Sequence, residues 1–333
     1  MKRATLVFAS LLAVGAGCVT GQDNPTTVHD LRVLGMQFEP PEVLMNGCNV
    51  QLLLGAAAGA SDGGTIMLPP QFQLLLAAYA SRPLDFTALI ADPEGAGRSL
   101  DYRLLGCANR GDRDCNNEGD YVELSSGTTT GGELKLNVTP GIQFLDDGAA
   151  TPLLLEVINQ DTFKGLGGIR VPVVLELSAS ETGEKIYAQK LMVYTCQFFP
   201  TMKQNVTPAL PGITFDGDPW LDGEVKKVRG KQEFPLSPLD LTGLEEDYVV
   251  PSLELKPIAL TESWKITWMT TSGTMSSYNT GGTDLVGTTG RHNSKWKPDQ
   301  AATEGKDVDF YFVVRDGRGG NSWLRRSLRW EPE

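Results

Sequence analysis

A chain of 333 residues with 41% hydrophobic residues, 37 glycines and 20 prolines has room for two ordinary domains and is too apolar for wholesale disorder. Its 29 basic and 41 acidic residues give a formal charge of -12, which excludes a polyanion such as nucleic acid as the main partner, because phosphate contacts need clustered Lys and Arg.

The amino terminus reads as an export signal. Lys2 and Arg3 form a positive n-region, Ala4 to Ala16 form an apolar stretch too short to span a bilayer, and Gly15-Ala16-Gly17 lead into Cys18. Small residues before a cysteine at this distance resemble the lipobox of bacterial lipoproteins, although Gly15 stands where that family prefers a large aliphatic residue. The resemblance implies a signal peptide over 1–17, acylation of Cys18 and a covalent membrane anchor. The competing reading is an ordinary signal peptide with a cysteine near its cut site.

From Val19 to about Thr27 the chain is polar, and 18–29 is expected to be a lipidated, disordered tether. Leu31 to Phe38 predicts a first strand stopped by Pro40-Pro41. Gly55 to Gly64 have loop composition. Gln71 to Ala80 form a compact apolar run, too short for periodicity to separate a buried strand from a helix, in an insertion expected to pack on the core, with an exposed partner-binding patch as the alternative. Beyond Pro83, strands are expected at Leu84–Ala91, Leu100–Leu105, Tyr121–Leu124, Leu134–Val138 and Leu153–Ile158. Val171–Leu177 and Ile186–Tyr194 follow, flanking a hairpin turn at Ser178–Gly183. Short strands at this spacing predict a sandwich over 30–199.

With Cys18 acylated, Cys48, Cys107, Cys115 and Cys196 remain as an even set in an oxidising compartment, which favours two disulfides. Four cysteines allow three pairings. The mostly polar spacer between Cys107 and Cys115 suits a local bridge, which leaves Cys48 for Cys196. Without a CxxC, and with only His29 and His292 to help, these cysteines do not form a metal site.

The proline-rich stretch 200–211 is the expected linker to a second domain over 212–333. Asn137-Val-Thr-Pro140 and Asn205-Val-Thr-Pro208 repeat as turns and match a glycosylation acceptor pattern of little force in a bacterial lipoprotein. In the second domain, alternation puts Trp264, Ile266 and Trp268 on one face of a strand and Lys265, Thr267 and Met269 on the other. Phe310, Phe312 and Val314 share a face of the next long strand. After Asp316-Gly-Arg-Gly-Gly320, Leu324, Leu328 and Trp330 share a face of the last.

The order WKITWMTTSG (Trp264 to Gly273), WKPD (Trp296 to Asp299) and a strand ending in DGRGG resembles immunoglobulin-like or PKD-type bacterial surface domains. The arrangement from Asp30 to Gly320 is similar to uncharacterised lipoproteins of gliding, predatory Gram-negative bacteria. The resemblance implies an all-β chain of two immunoglobulin-like antiparallel β-sandwiches after a lipoprotein signal peptide, held at the outer membrane, with no activity attached.

Catalysis has no starting point. GxSxG, HExxH, P-loop and dinucleotide patterns are missing, and two isolated histidines do not make a triad. Asp112, Asp114, Asn116, Glu118 and Asp120 place oxygen side chains at every second position, a spacing by which a loop wraps calcium. Against that, Asn117 replaces the glycine an EF-hand needs and a bridge at Cys115 would restrain the loop, so a solvated, bridged loop is the plainer reading and no cofactor is expected. Arg315, Arg318, Arg325, Arg326 and Arg329 read as guards of an exposed edge strand or as a basic patch. Trp220 and Tyr248 read as sugar-stacking platforms or as residues sealing a domain interface.

The expected function is a non-enzymatic, membrane-anchored envelope lipoprotein with a structural or protein-interaction role. Its partners would be the membrane, through the lipid, and an envelope protein. The alternative is a polysaccharide-binding surface protein, with or without calcium.

Overall fold

The computed structural model describes residues 24–48, 70–108, 115, 119–145, 151–161, 167–252, 254–282 and 292–332. The first expected strand forms as β1 (Arg32–Glu39), with Met36 and Phe38 buried, and ends at Pro40-Pro41, which cannot donate to a ladder. The chain resumes as β2 (Glu42–Met45) in a different sheet. β1 pairs with β3 (Leu84–Ala91), and β3 with β6 (Gly132–Val138). The facing sheet runs β2, β8 (Glu184–Cys196), β7 (Ile169–Ala179), β4 (Leu100–Cys107), β5 (Tyr121–Thr129). Phe38 and Phe86 of one sheet meet Leu104, Leu175 and Tyr194 of the other in a core where each is 0% exposed.

The second half repeats this plan. One sheet runs β10 (Asp218–Trp220), β9 (Ile213–Phe215), β12 (Phe234–Pro238), β18 (Ser294–Lys297), β16 (Thr274–Met275). The other runs β11 (Val225–Arg229), β20 (Asn321–Glu331), β19 (Lys306–Arg315), β15 (Lys265–Thr270), β17 (Asn279–Gly281). A separate ribbon, β13 (Asp247–Pro251) and β14 (Pro257–Thr261), leaves the sandwich between β12 and β15. Pairing β3 with β6 against β4, β7 and β8, and β12 with β18 against β15, β19 and β20, gives the B–E and C–F–G sheets of an immunoglobulin-like sandwich twice over. The chain is therefore all-β in class, as two such sandwiches. Each is antiparallel except for one edge strand, β2 on β8 and β11 on β20, which runs parallel.

The second core is aromatic. Phe310 lies edge-on to Trp220 and Trp296, with ring centroids 5.3 and 5.2 Å away, a geometry that adds attraction between ring edge and ring face to the burial itself. Trp264, Ile266 and Trp268 enter this core as their alternation predicts, with Phe312 and Val314 opposite.

Several expectations change. Leu153–Ile158 is not a strand but the start of helix α2 (Leu153–Gln160). Leu153, Leu154, Val157 and Ile158 are its buried residues, a spacing of three and four that puts them on one helical face, and Pro152 precedes the first turn. The apolar run Gln71–Ala80, which fits strand or helix by its sequence, is helix α1 (Pro70–Ala80), burying Phe72, Leu76, Tyr79 and Ala80. The segment 18–29, expected to be a free tether, is not free over 24–28. Val28 donates its N–H to the carbonyl of Thr270, Thr270 donates to Thr26, and Thr27 Oγ1 donates to the carbonyl of Gly273, so 24–28 is docked on the second sandwich with Val28 fully buried. The stretch 200–211 is no free linker either, since Met202, Asn205, Pro208 and Leu210 are buried. Cys48 and Cys196 are bridged, with Cα atoms 5.3 Å apart, as are Cys107 and Cys115 at 5.8 Å. No helix among the described residues is long and apolar enough to cross a membrane.

Phe310→Ala should cost about 3 to 5 kcal/mol, because three aromatic neighbours held in two sheets cannot collapse into the void. Denaturant unfolding followed by tryptophan fluorescence measures it, and a loss under 1 kcal/mol would contradict this account of the core.

Candidate functional site

The glycine-rich reversal after β19 is built around the Asp316 carboxylate. Its Oδ1 accepts N–H bonds from Arg318, Gly319 and Gly320 at 2.7, 3.0 and 2.9 Å. Its Oδ2 accepts from Gly320 and from Asn205 Nδ2 at 3.0 and 2.7 Å. The turn needs its glycines. Gly317 and Gly319 have φ of 82° and 116°, and a Cβ on Gly320 would lie 2.2 Å from Asp316 Oδ2.

This geometry aims Arg318 across the domain boundary. Its guanidinium lies 3.0 Å from Glu42 Oε1 in the first sandwich and 3.4 and 3.6 Å from Glu262 and Glu246 in the second, and it stacks 4.3 Å over the Tyr248 ring. Glu42 also accepts the Asn205 N–H at 2.9 Å. Burial pushes the Glu42 carboxyl above its ordinary range, with Arg318 pulling the other way, and burial likewise raises Glu262. Lys190 of β8 donates to the Gly319 carbonyl and, at 3.1 Å, to Asn321 Oδ1, and burial lowers its ammonium to about 8.

Beside the network runs an apolar seam. Val28, Leu34, Leu89 and Ala91 of the first half pack on Met269, Tyr311 and Val313, and Trp323 lies over Gly35. On the outer faces of β15 and β19, Thr267, Met269, Tyr311 and Val313 are therefore buried, and the two sandwiches meet sheet on sheet there.

Where the sandwiches diverge, a cleft of about 600 Å³ opens between the outer face of β8, the segment after it and the β13–β14 ribbon. Leu191, Val193 and Phe198 form its floor, and Tyr248, Val249 and Val250 one wall. Arg170, Lys190, Lys203 and Arg318 face it against one acid, Glu42, a reversal of the chain's overall charge. Arg170 and the Lys203 ammonium have no ion-pair or hydrogen-bond partner among the described residues. A concave, largely apolar site with a few converging charges at a domain junction is the form that ligand sites take.

The other candidate residues are placed differently. Cys18 lies outside the described residues, as do Asp112, Asp114, Asn116 and Glu118; of the calcium candidates only Asp120 is described, its carbonyl accepting from Ala108. Among the described residues no three His, Cys, Asp or Glu side chains converge on a metal position. Trp220 is no sugar platform, being 2% exposed inside the second core, and Tyr248 is covered by Arg318. The arginines of β20 form no free basic patch, because each is paired with an acid, and β11 covers the strand over Ser327–Glu331. Arg325 pairs with Asp309, Arg326 with Asp222 and Arg329 with Asp307. Asn205, read as a turn residue, is buried on Asp316.

No family model and no curated protein matches the chain. Among solved structures, a CsuC–CsuE chaperone–tip adhesion subunit complex from Csu pili of Acinetobacter baumannii is 8% identical, covers 88% of this chain and 98% of that one, and gives a TM-score of 0.22. Dimeric latent PorU from Porphyromonas gingivalis is 9% identical, covers 92% of this chain and 24% of that one, and scores 0.18. Likenesses of that size leave the reading of the site to its own geometry.

Two outcomes test the network. Asp316→Ala leaves the turn N–H groups and Asn205 without an acceptor and should cost about 3 to 5 kcal/mol in denaturant unfolding. Lys190 has a lowered folded pKa, so the unfolded chain binds more protons between about pH 8 and 10.5, and stability rises with pH across that window by up to about 1.4 kcal/mol per unit. Below pH 8 the contribution is flat. Lys190→Met should abolish the rise, measured as the shift in denaturation midpoint between pH 8 and pH 10.

Proposed function

We propose that this chain is a lipid-anchored envelope protein with a non-enzymatic, protein-interaction role, in which two sandwiches locked together by the Asp316–Arg318 network present the cleft between them. That network supports the reading best. A junction that buries Glu42, Asn205, Asp316 and Glu262 at 8% exposure or less leaves no loose hinge, which suits a fixed binding platform. Neither described histidine has a nucleophile or carboxylate within hydrogen-bonding distance among the described residues. No described tryptophan offers a sugar-stacking face, since five of the six are 3% exposed or less and the sixth, Trp323, lies in the seam.

Anchoring at Cys18 would act over a short span. Five residues separate Cys18 from Asn24, the first described residue, and the six residue steps reach at most about 20 Å when fully extended. The lipid would hold the junction of the sandwiches close to the bilayer, because 24–28 is docked there.

Intact mass of the detergent-extracted protein, beside a Cys18→Ser variant, tests the reading. Cleavage before Cys18 with added acyl mass, both absent from the variant, is the expected result. An unacylated, soluble wild-type product would overturn the anchor.

A further inference from the structure

We infer that the cleft takes an extended polypeptide segment carrying acidic side chains, added as a third strand to the free edge of β13. The inference rests on the interaction role proposed above and names its partner by chemistry.

The edge is identified by two observations. Tyr248, Val249, Val250 and Pro251, four consecutive residues, all line the cleft, while no residue of β14 does. A strand showing a face offers every second residue; one showing its edge offers a continuous run. The ribbon's hydrogen bonds then say which groups are free. Glu262 N–H to the Glu246 carbonyl and Ser252 N–H to the Lys256 carbonyl mark bonded rungs, and bonded rungs alternate, so Tyr248 and Val250 bond to β14 while Asp247, Val249 and Pro251 turn their backbone outward. The Val249 N–H and C=O have no partner among the described residues, and the ribbon has only two strands.

A strand laid along this edge satisfies both groups, and its side chains alternate. One set meets Leu191, Val193 and Phe198 on the floor. Arg170 sits directly across the ladder from Val193 and Lys203 lines the same cleft, two cations without partners among the described residues, and these select carboxylates on the incoming segment. β13 spans five residues, so about 17 Å of extended chain is engaged.

The test uses the full chain carrying Cys18→Ser, so its result is independent of lipidation and a failed anchor leaves it intact. A display library of random heptapeptides is selected on this protein, and one recovered sequence is synthesised. Alternating apolar and Asp or Glu residues should be enriched. Affinity should fall at least tenfold in Val249→Pro, which removes the outward N–H and no rung bond, and at least tenfold in the Arg170→Glu, Lys203→Glu double variant. Should the proline variant misfold, amide exchange on the Cys18→Ser chain decides alone: Val249 gains protection with the peptide bound, and Tyr248 and Val250, already bonded, change little. The inference is overturned by selection without acidic residues, by binding indifferent to the double variant, by unchanged exchange at Val249, or by displacement of the peptide by laurate alone.

Discussion

The structure depends on one buried carboxylate. Asp316 follows β19 and gathers the N–H groups of the three residues that close the reversal into β20, which makes the turn rigid and sets Arg318 between Glu42 of the first sandwich and Glu246 and Glu262 of its own. The same carboxylate takes Asn205 from the segment joining the sandwiches, and Asn205 and Arg318 converge on Glu42. Turn, connecting segment and first sandwich therefore share one set of charges. Buried ion pairs of this kind add little net stability over an apolar contact, because desolvation offsets the attraction, but they are costly to break singly. What they contribute here is register, fixing which faces of the two sandwiches meet.

That arrangement explains why one stretch of the second sandwich is apolar without alternation. Phe310 to Val314 put Phe310, Phe312 and Val314 into the inner core and Tyr311 and Val313 into the seam with the first sandwich. A central strand covered on both sides reads as a continuous apolar run. Gly35 completes the fit, since a Cβ there would lie 2.9 Å from the Trp323 ring and hold the sheets apart.

Legibility in the sequence follows from these demands. Strands with one wet face, such as Leu134–Val138, and the aromatic faces of β15 and β19 announce themselves by period two and are readable as a sandwich. The second face of β19 carries the same information in its unbroken run, but an apolar face alone does not say whether a neighbour domain or a partner covers it. Leu153–Ile158 misled because six apolar-rich residues fit either period, and only the spacing of Leu153, Leu154, Val157 and Ile158 marks the helix. The candidate site was least visible. Glu42, Lys190, Asn205 and Arg318 are scattered over 276 positions and meet only when both sandwiches are assembled. The one local signal was Asp316-Gly-Arg-Gly-Gly320, read as a strand reversal, whose acid and arginine are the parts that tie the sandwiches together.

The docked segment 24–28 sets where a load on the amino terminus enters the fold. It leaves the second sandwich and runs directly into β1 of the first, so the chain enters the fold at the junction and not at one end. Force applied through the amino terminus is then carried by bonds to Thr270 and Gly273 and by the seam before it reaches either core. An anchor placed there restrains both sandwiches equally, whereas an anchor at the end of one would leave the other to swing about the boundary. The cleft opens at the same junction, between β8 and the ribbon, so a ligand in it and an anchor at the amino terminus would both act on the packed boundary of the sandwiches. A ligand that adds a strand there orders its own backbone but meets an edge already held in place, and that preorganisation, more than contact area, sets how tightly a short segment binds.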